Sequence, residues 1–306
     1  MKRTAFAVAA LLYCFAASAG DRSKRPRILG IGSVTIYVKS PEAATNFYSK
    51  QLQYRSDKNT ACEDAPHTCL AINIGQRLDI VSPSSPIEGH YLGEIAFETD
   101  HINELREKLN NSGVKASEIV KTVGDRKHYY ALSFTVVDPE NHPVKFVEYE
   151  GCIVCEGDSH NPVSGHLIHA GFVVHDREAE DRFYRDILGF HVYWHGGMKE
   201  GEDNWVDMQV PDGTDWIEYM LRVAPDASHK TLGVMNHIAL GVPDIQAAKE
   251  QLIKNGWKST EEPKIGRDGK WQLNLYDPDE TRVELMEFKP TKEPCCSAYA
   301  GPHPQQ

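Results

Sequence analysis

The stretch Asn46-Phe47-Tyr48-Ser49-Lys50-Gln51-Leu52-Gln53-Tyr54 returns later in the chain as Arg182-Phe183-Tyr184-Arg185-Asp186-Ile187-Leu188-Gly189-Phe190. Two further pairs of segments match in the same order. They are 102–113 with 245–256, and 138–144 with 277–283. Three ordered matches, each at an offset of roughly 140 residues, indicate an internal repeat. The sequence therefore predicts a duplication of two halves of about 125 residues each.

Each half repeats one succession of elements twice. In the second half a strand at 167–174 leads to a helix at 176–188, and three short strands follow. A strand and a helix then recur over 237–253, again with strands after them. The first half begins in the same way, with a strand at 33–38 and a helix at 41–52. β-Branched and aromatic runs mark the strands, and amphipathic periods mark the helices. The sequence therefore predicts four βαβββ units and an α+β fold.

Composition divides the chain into five segments. A linker rich in Gly, Asp, Asn, Pro and Ser separates the two halves. The last stretch is Pro-rich without a period, so we expect an extended tail held only by its cysteines. The predicted segments are a signal peptide at 1–19, a first module at 28–150, the linker at 151–164, a second module at 165–289 and the tail at 290–306.

The N-terminus has the pattern of a secretory signal. Lys2 and Arg3 precede an apolar run over 5–17 that is too short to span a bilayer. Ala17-Ser18-Ala19 provides a small-residue cleavage site. Acylation of Cys14, as in a lipoprotein, is less favoured because the preceding tyrosine is bulky. We therefore expect a secreted or periplasmic protein that has no membrane association after signal cleavage.

Six cysteines remain beyond the signal: Cys62, Cys69, Cys152, Cys155, Cys295 and Cys296. An even number in an oxidising compartment suggests disulfides. The first two flank a polar stretch and suit a locally closed loop, and we expect one bridge between the linker and the tail. A zinc site made by the last four thiolates is less favoured, because adjacent cysteines are awkward tetrahedral ligands.

The charge and composition of the chain exclude some partners. Hydrophobic residues make up 41% and charged residues 25%, as in soluble globular proteins. The net charge of -11 argues against nucleic acid or anionic lipid as the main partner, because both need a basic surface.

The paired βαβββ units, the histidines at strand starts, Asp277-Pro278-Asp279 and Val283-Glu284-Leu285 resemble the vicinal-oxygen-chelate superfamily. That superfamily includes glyoxalase I, methylmalonyl-CoA epimerase, fosfomycin-resistance proteins and extradiol dioxygenases. The resemblance covers nearly all of 28–289 and is strongest over 166–288. It implies two modules with curved mixed sheets, each made of two βαβββ units around a cup that can hold a metal. It also implies a small-molecule substrate with vicinal oxygens. A four-unit chain can close its own cups, so we expect a monomer or a homodimer.

The four ligand places that the resemblance implies fall on His169, Glu218, His237 and Glu284. Each lies within a largely apolar strand, where a lone imidazole or an ionised carboxylate is costly to bury. A shared cation explains four such residues better than four separate core polar groups do. Two imidazoles and two carboxylates suit one divalent ion of zinc, nickel, cobalt, manganese or iron. The remaining coordination positions would take water or substrate.

The first half supplies an internal control for this site. By the repeat, Ser33 stands in place of His169, Glu94 in place of His237, and Lys145 in place of Glu284, while Asp79 lies near the place of Glu218. A serine and a lysine cannot complete that ligand set. We therefore expect one metal ion, in the second module.

The resemblance leaves three kinds of function open. Glyoxalase I-like lyases or isomerases use four protein ligands of this kind, a metal-stabilised enediolate and a glutamate base, here Glu284 or Glu218. Extradiol dioxygenases share the four-unit architecture but use two His and one Glu with iron. Asn274 occupies the position of their tyrosine, and no histidine lies between 238 and 284. The site therefore favours the glyoxalase type. Non-catalytic binding and resistance proteins are the third kind, but they usually lack the ligands.

Two further features are weaker candidates. His195 precedes Gly196-Gly197, which indicates a mobile loop through which the histidine could reach a substrate. The stretch 266–270 reads as a basic hairpin over the cup. It could clamp an anionic substrate or simply form a turn.

Overall fold

A computed structural model describes residues 25–56, 67–83, 92–123, 130–150 and 161–305. Within these residues the strands form two sheets of eight strands each. The first sheet contains β1 (Ile28–Tyr37), β2 (Arg55–Ser56), β3 (His67–Ala71), β4 (Arg77–Val81), β5 (Leu92–Thr99), β6 (Val120–Val123), β7 (Tyr130–Val137) and β8 (Pro143–Glu150). The second contains β9 (His166–Val173), β10 (His191–Gly196), β11 (Trp205–Gln209), β12 (Trp216–Met220), β13 (His237–Val242), β14 (Lys264–Ile265), β15 (Trp271–Tyr276) and β16 (Arg282–Glu287).

The two sheets have the same topology. The order is β2-β3-β4-β1-β5-β8-β7-β6 in the first and β10-β11-β12-β9-β13-β16-β15-β14 in the second. The two central strands of each sheet, β1 with β5 and β13 with β9, are antiparallel. Each pairs in parallel with the last strand of its own unit. The prediction of four βαβββ units in curved mixed sheets is confirmed.

Helices connect the first and second strands of each unit. They are α1 (Pro41–Lys50), α2 (Ile102–Asn111), α3 (Arg177–Asp181) and α5 (Ile245–Lys254), and α4 (His229–Met235) is an additional helix before β13. Capping side chains fix four of these five helix starts. They are Ser40, Asp176, Ser228 and Asp244, which accept from the backbone N–H groups of Ala43, Ala179, Thr231 and Ala247.

The predicted single α-helix at 176–188 is wrong in one respect. Its α-helical part ends at Asp181, and Arg182–Ile187 continues as a π-helix. The wider turn still buries Phe183 and Tyr184, so the apolar period that suggested a helix is kept.

The modules share one hydrophobic core, in which Phe97 and Phe190 contact edge to face with centroids 5.3 Å apart. Asp215 of the second module accepts the backbone N–H of Ile31 in the first at 2.9 Å. Gly30 allows this approach, because a Cβ atom there would lie 2.6 Å from an Asp215 oxygen. Gln76 donates to the carbonyl of Leu167 at 2.9 Å. Buried polar contacts therefore fix the register between the two sheets.

The tail differs from the prediction, because it is held by more than its cysteines. The carbonyls of Cys295 and Pro302 accept from the side chains of Trp194 and Gln209, and the Ala300 N–H donates to the second module. Aromatic contacts add to these hydrogen bonds. The tail therefore packs along β10 as part of the second module.

The cysteine pairing also differs from the prediction. Cys295 and Cys296 are bonded to each other, so the expected bridge between linker and tail is wrong. Cys69 is disulfide-bonded. Cys62, Cys152, Cys155, the signal peptide at 1–19 and most of the linker lie outside the described residues. Within the described part of the chain, no helix is long and apolar enough to cross a membrane.

Candidate metal centre

The two predicted histidine ligands lie side by side on neighbouring antiparallel strands. His169 is on β9 and His237 is the first residue of β13, and both side chains are fully buried. Their Nε2 atoms are 3.1 Å apart. The Nδ1 atom of His237 is 3.0 Å from the carbonyl of Met235. A proton on Nδ1 leaves the Nε2 lone pair directed into the cup, which is the tautomer that a metal ligand requires.

The two predicted glutamates face the same point from the flanking strands. Glu218 Oε2 lies 3.1 Å from His237 Nε2 and 3.7 Å from His169 Nε2. Glu284 Oε2 lies 3.7 Å and 3.9 Å from the same two nitrogens. Donor atoms of His169, Glu218 and His237 all lie within 4.8 Å of one another. The sheet thus brings together all four residues that the sequence singled out.

A glycine creates the space for His237. Gly171 pairs with His237 across β9 and β13. A Cβ atom at Gly171 would lie 2.1 Å from Cε1 and 2.5 Å from Nδ1 of His237. Any larger residue would therefore displace the imidazole, so the ring orientation depends on this glycine.

The electrostatics of the cup suit a cation. Burial, then the neighbouring positive groups, hold the pKa of both imidazoles well below its usual range, so they are neutral donors. Burial raises the pKa of Glu218 and of Glu284 to about 7. Two ionised carboxylates are costly in such a place, and a divalent ion would neutralise both. Neutral imidazoles with carboxylates fit zinc, manganese or ferrous iron. The donor set therefore fits a metal.

The equivalent place in the first module contains ion pairs. Lys145 Nζ lies 3.0 Å from Glu94 Oε1, and Arg77 lies 2.9 Å from Asp79. The register matches the repeat, because Ala96 pairs with Lys145 as Ala239 pairs with Glu284. Side-chain cations thus already neutralise these carboxylates.

A cavity of about 360 Å³ opens onto the cup. Its lining includes three of the predicted ligands, together with Trp194, Met198, Trp205, Arg267, Asn274 and Arg282. This size accommodates a small molecule. Aromatic and apolar walls with a few polar groups are typical of small-molecule sites.

Two cations lie beside the cup. Sequence reasoning missed Arg282 and expected Lys270 only as part of a basic hairpin. Arg282 Nη2 donates to His237 Nε2 at 2.6 Å and lies 4.0 Å from Glu284. Lys270 is fully buried, with Nζ 4.5 Å from the centroid of a Trp216 ring. The positive charges of both residues favour the ionised form of the buried Glu218 carboxylate. The alternation of β16 was the only available signal, since Arg282 is two residues before Glu284 on the same face.

The structure shows where the two weaker candidates, the stretch 266–270 and His195, lie relative to the cup. The stretch 266–270 is a tight turn, in which the Gly266 N–H donates to the Lys270 carbonyl at 2.9 Å. Lys270 is buried and therefore unavailable as a mobile clamp, whereas Arg267 does line the cavity. His195 lies within β10 rather than in a loop, and its Nδ1 atom pairs with Asp203 at 2.8 Å. It lines a different cavity and does not reach the cup.

The model of the Glyoxalase/Bleomycin resistance protein/Dioxygenase superfamily matches residues 30–146 and 166–285. The chain therefore belongs to this superfamily. A lactoylglutathione lyase of Haemophilus influenzae is 27% identical over 128 residues, which are 41% of this chain and 95% of that protein.

Two solved structures share the fold. A complex of homoprotocatechuate 2,3-dioxygenase from Brevibacterium fuscum with 3,4-dihydroxyphenylacetate has a TM-score of 0.63 at 19% identity, and covers 91% of this chain and 83% of its own. A Mn(II)-bound glyoxalase from Novosphingobium aromaticivorans has a TM-score of 0.63 at 16% identity, and covers 86% of this chain and 83% of its own. At these identities the likeness shows the fold alone.

Proposed function

We propose that this protein is an exported, metal-dependent lyase or isomerase of the glyoxalase I type, acting on a small molecule with two vicinal oxygens. The observation that carries the proposal is the convergence of two carboxylates on the same pair of imidazoles. Glu218 and Glu284 both lie within 4 Å of the Nε2 atoms of His169 and His237. A two-His, one-Glu site would use only one of these two carboxylates.

The four residues would divide the chemistry between them. His169 and His237 would hold the ion as neutral donors, and the ion would act as a Lewis acid on the substrate oxygens. Glu218 or Glu284 would take a proton from one substrate carbon and return it to the neighbouring carbon. Without the charge of an ion, burial raises the pKa of each carboxyl to about 7. A bound cation would favour the ionised carboxylate, which is the form that accepts a proton. Substrate and product are then isomers, and no oxidant is needed.

The residues around the cavity would orient and shield the substrate. Trp194 and Trp205 supply apolar walls that exclude water from the reacting carbons. Arg267 lies on the rim of the same cavity and would bind an anionic part of the substrate. An exported enzyme would meet thiol adducts other than those of the cytoplasm, so the thiol carrier is left open in this proposal.

An extradiol-type dioxygenase is the second candidate. It is favoured by the four-unit chain, since the dioxygenase of Brevibacterium fuscum shares the fold over 91% of this chain. Asn274 lies in the cavity with its Oδ1 atom buried and without a hydrogen-bond partner. An amide there cannot transfer a proton as a tyrosine or histidine would, and the geometry therefore supports this function less.

The two candidates predict different metals and different assays. The full chain is purified, its metal content is measured, and it is supplied in turn with Zn²⁺, Ni²⁺, Mn²⁺ and Fe²⁺. Turnover of methylglyoxal adducts with several thiols is compared with oxygen uptake on catechols. We expect adduct turnover that depends on the metal and is lost in His237→Ala. Oxygen uptake with iron on catechols, without adduct turnover, would overturn the proposal.

A further inference from the structure

A second group of buried ligand-type side chains lies where the two modules meet, away from the cup. Asp138 and His142 belong to the turn between β7 and β8 of the first module, and Glu180 belongs to α3 of the second. One donor atom from each lies within 4.8 Å of the other two. His142 Nδ1 is 2.8 Å from Asp138 Oδ2.

The buried carboxyl group of Glu180 is not fully satisfied by the hydrogen bonds of the fold. Its side chain is fully buried, and Oε1 accepts the backbone N–H of Glu140 at 3.0 Å. Oε2 is equally buried and has no hydrogen-bond partner. Among the residues that the structure describes, no lysine or arginine lies within ion-pairing distance of Asp138 or Glu180. Burial, then the charge of Asp138, raises the pKa of Glu180 to about 9. A buried carboxyl oxygen without a partner is unfavourable, so a ligand is expected there.

The internal repeat shows which part of the group the fold requires. Asp138 accepts from the backbone N–H of His142 at 2.7 Å and from the Tyr184 hydroxyl at 3.3 Å. At the matching place Asp277 accepts from the backbone N–H of Thr281 at 2.9 Å and from the hydroxyl of Tyr48. The aspartate and the tyrosine therefore serve the turn in both modules.

The other two members occur in only one copy. By the same repeat, Thr281 stands in place of His142 and Ala44 in place of Glu180. Both Thr281 and Ala44 are fully buried, so the fold tolerates small side chains at these places. The joint, where the β7–β8 turn of the first module meets α3 of the second, thus has an added imidazole and an added carboxylate beside one aspartate.

We propose that Asp138, His142 and Glu180 bind a second divalent transition-metal ion, distinct from the ion of the cup. One imidazole and two carboxylates suit Zn²⁺ or Mn²⁺. Ligand atoms around Zn²⁺ stand about 3.3 Å apart when each bond is about 2.0 Å. The three donor atoms lie within 4.8 Å of one another, so small side-chain shifts would bring them onto one ion. The ion would join the β7–β8 turn of the first module to α3 of the second. Its role would be structural, and it adds to the single ion that the sequence predicts.

Zinc alone is the probe, and the full chain is the sample. After removal of metal with a chelator and dialysis against excess Zn²⁺, bound zinc per chain is measured by mass spectrometry of the metal. A double substitution at this joint, called the joint variant, combines His142→Thr with Glu180→Ala. Threonine and alanine are the residues that occupy the matching places in the other copy of the repeat. Glu180→Gln serves as a second variant that keeps the side-chain volume. Circular dichroism checks that each variant is folded.

We expect two zinc ions per wild-type chain, one in the joint variant and one in His237→Ala. A combined variant, which contains the joint variant's two substitutions together with His237→Ala, should bind none. Zinc should also raise the midpoint of thermal unfolding in His237→Ala but not in the combined variant. A joint variant that binds as much zinc as the wild type would overturn the proposal. One ion that is lost in the joint variant and retained in His237→Ala would support this site and reject the cup instead, so the two failures are distinguishable.

Discussion

The Nε2 atoms of His169 and His237 lie 3.1 Å apart, and Oε2 of Glu218 lies within 4 Å of both. Three donor atoms from three strands thus face one point, which a mutation can test. His237→Ala removes one donor and is expected to weaken metal binding by about 100-fold or more, since even outer-shell partners cost 10- to 100-fold. Metal affinity is measured by competition with a chromophoric chelator.

The control for this prediction is His101→Ala. His101 is an exposed histidine of the first module, so its loss leaves the cup unchanged. Unchanged metal affinity in His237→Ala would show that the ligand assignment is wrong.

Glu218 separates the two candidate functions. In a glyoxalase-type site, Glu218→Gln keeps a ligand oxygen but removes a base, so kcat should fall by about 10²–10⁴-fold if this carboxylate transfers the proton. Glu284→Gln is the matched variant, and the larger loss identifies the base. Metal content, kcat and KM are measured for both. Full activity in both variants would contradict a glutamate base.

The sequence predicted the four-unit fold because both of its signals are local or repeated. Strand and helix periods are set within a few residues, and the duplication places the same elements twice. The donors of the cup lie at fixed strand positions, so the resemblance located them and the repeat identified their counterparts in the first module. For example, Ala239 pairs with Glu284 and Ala96 with Lys145, as the repeat requires.

Long-range contacts were beyond the sequence for physical reasons. Strand alternation places Arg282 on the same face as Glu284, but no period specifies where the end of its long side chain lies. The same holds for the buried ammonium of Lys270. The packing of the tail against Trp194 depends on a contact between residues about a hundred positions apart. Glu180 and Asp138 meet only because the modules dock, although a comparison of Glu180 with Ala44 would have singled out the carboxylate.

Lys270 is predicted to stabilise the second module. Its ammonium is fully buried, over the Trp216 ring and 3.4 Å from the hydroxyl of Tyr193. The charges of Asp268 and Asp207 contribute most to keeping the ammonium protonated against its burial. Lys270→Met leaves these carboxylates without their cation, so the free energy of unfolding should fall by about 2–4 kcal/mol. Urea unfolding measures the change.

Lys230→Met is the comparison for this variant. Lys230 is exposed in α4, so its replacement should change the free energy of unfolding by less than about 0.5 kcal/mol. Equal effects of the two substitutions would contradict a specific role of the buried ammonium.

The contact of His166 with Asp215 makes the stability of the protein depend on pH. Burial alone would lower the pKa of His166, but the hydrogen bond and the charge of Asp215, 2.8 Å away, raise it above 6.5. A raised pKa in the folded state gives stability that is fully present below pH 6.5 and is lost as the pH rises through the folded pKa.

The wild type should therefore exceed His166→Asn in stability more at pH 5.5 than at pH 8.5. Urea unfolding at a series of pH values measures this difference. Asp215→Asn should remove the same part of the pH dependence, because it removes the charge that raises the pKa. A constant difference between wild type and His166→Asn across this range would contradict the prediction.

Gly171 allows the geometry of the cup to be tested without changing a ligand. A Cβ atom at this position would lie 2.1 Å from Cε1 of His237, and backbone pairing of β9 with β13 prevents the two residues from separating. Gly171→Ala should therefore rotate the imidazole away from Glu218 and weaken metal binding by at least about 10-fold, although all four donors remain. Gly165→Ala is the control, because a Cβ atom there meets nothing within 4 Å. Wild-type metal affinity in Gly171→Ala would contradict the prediction, because the orientation of His237 would then not depend on this glycine.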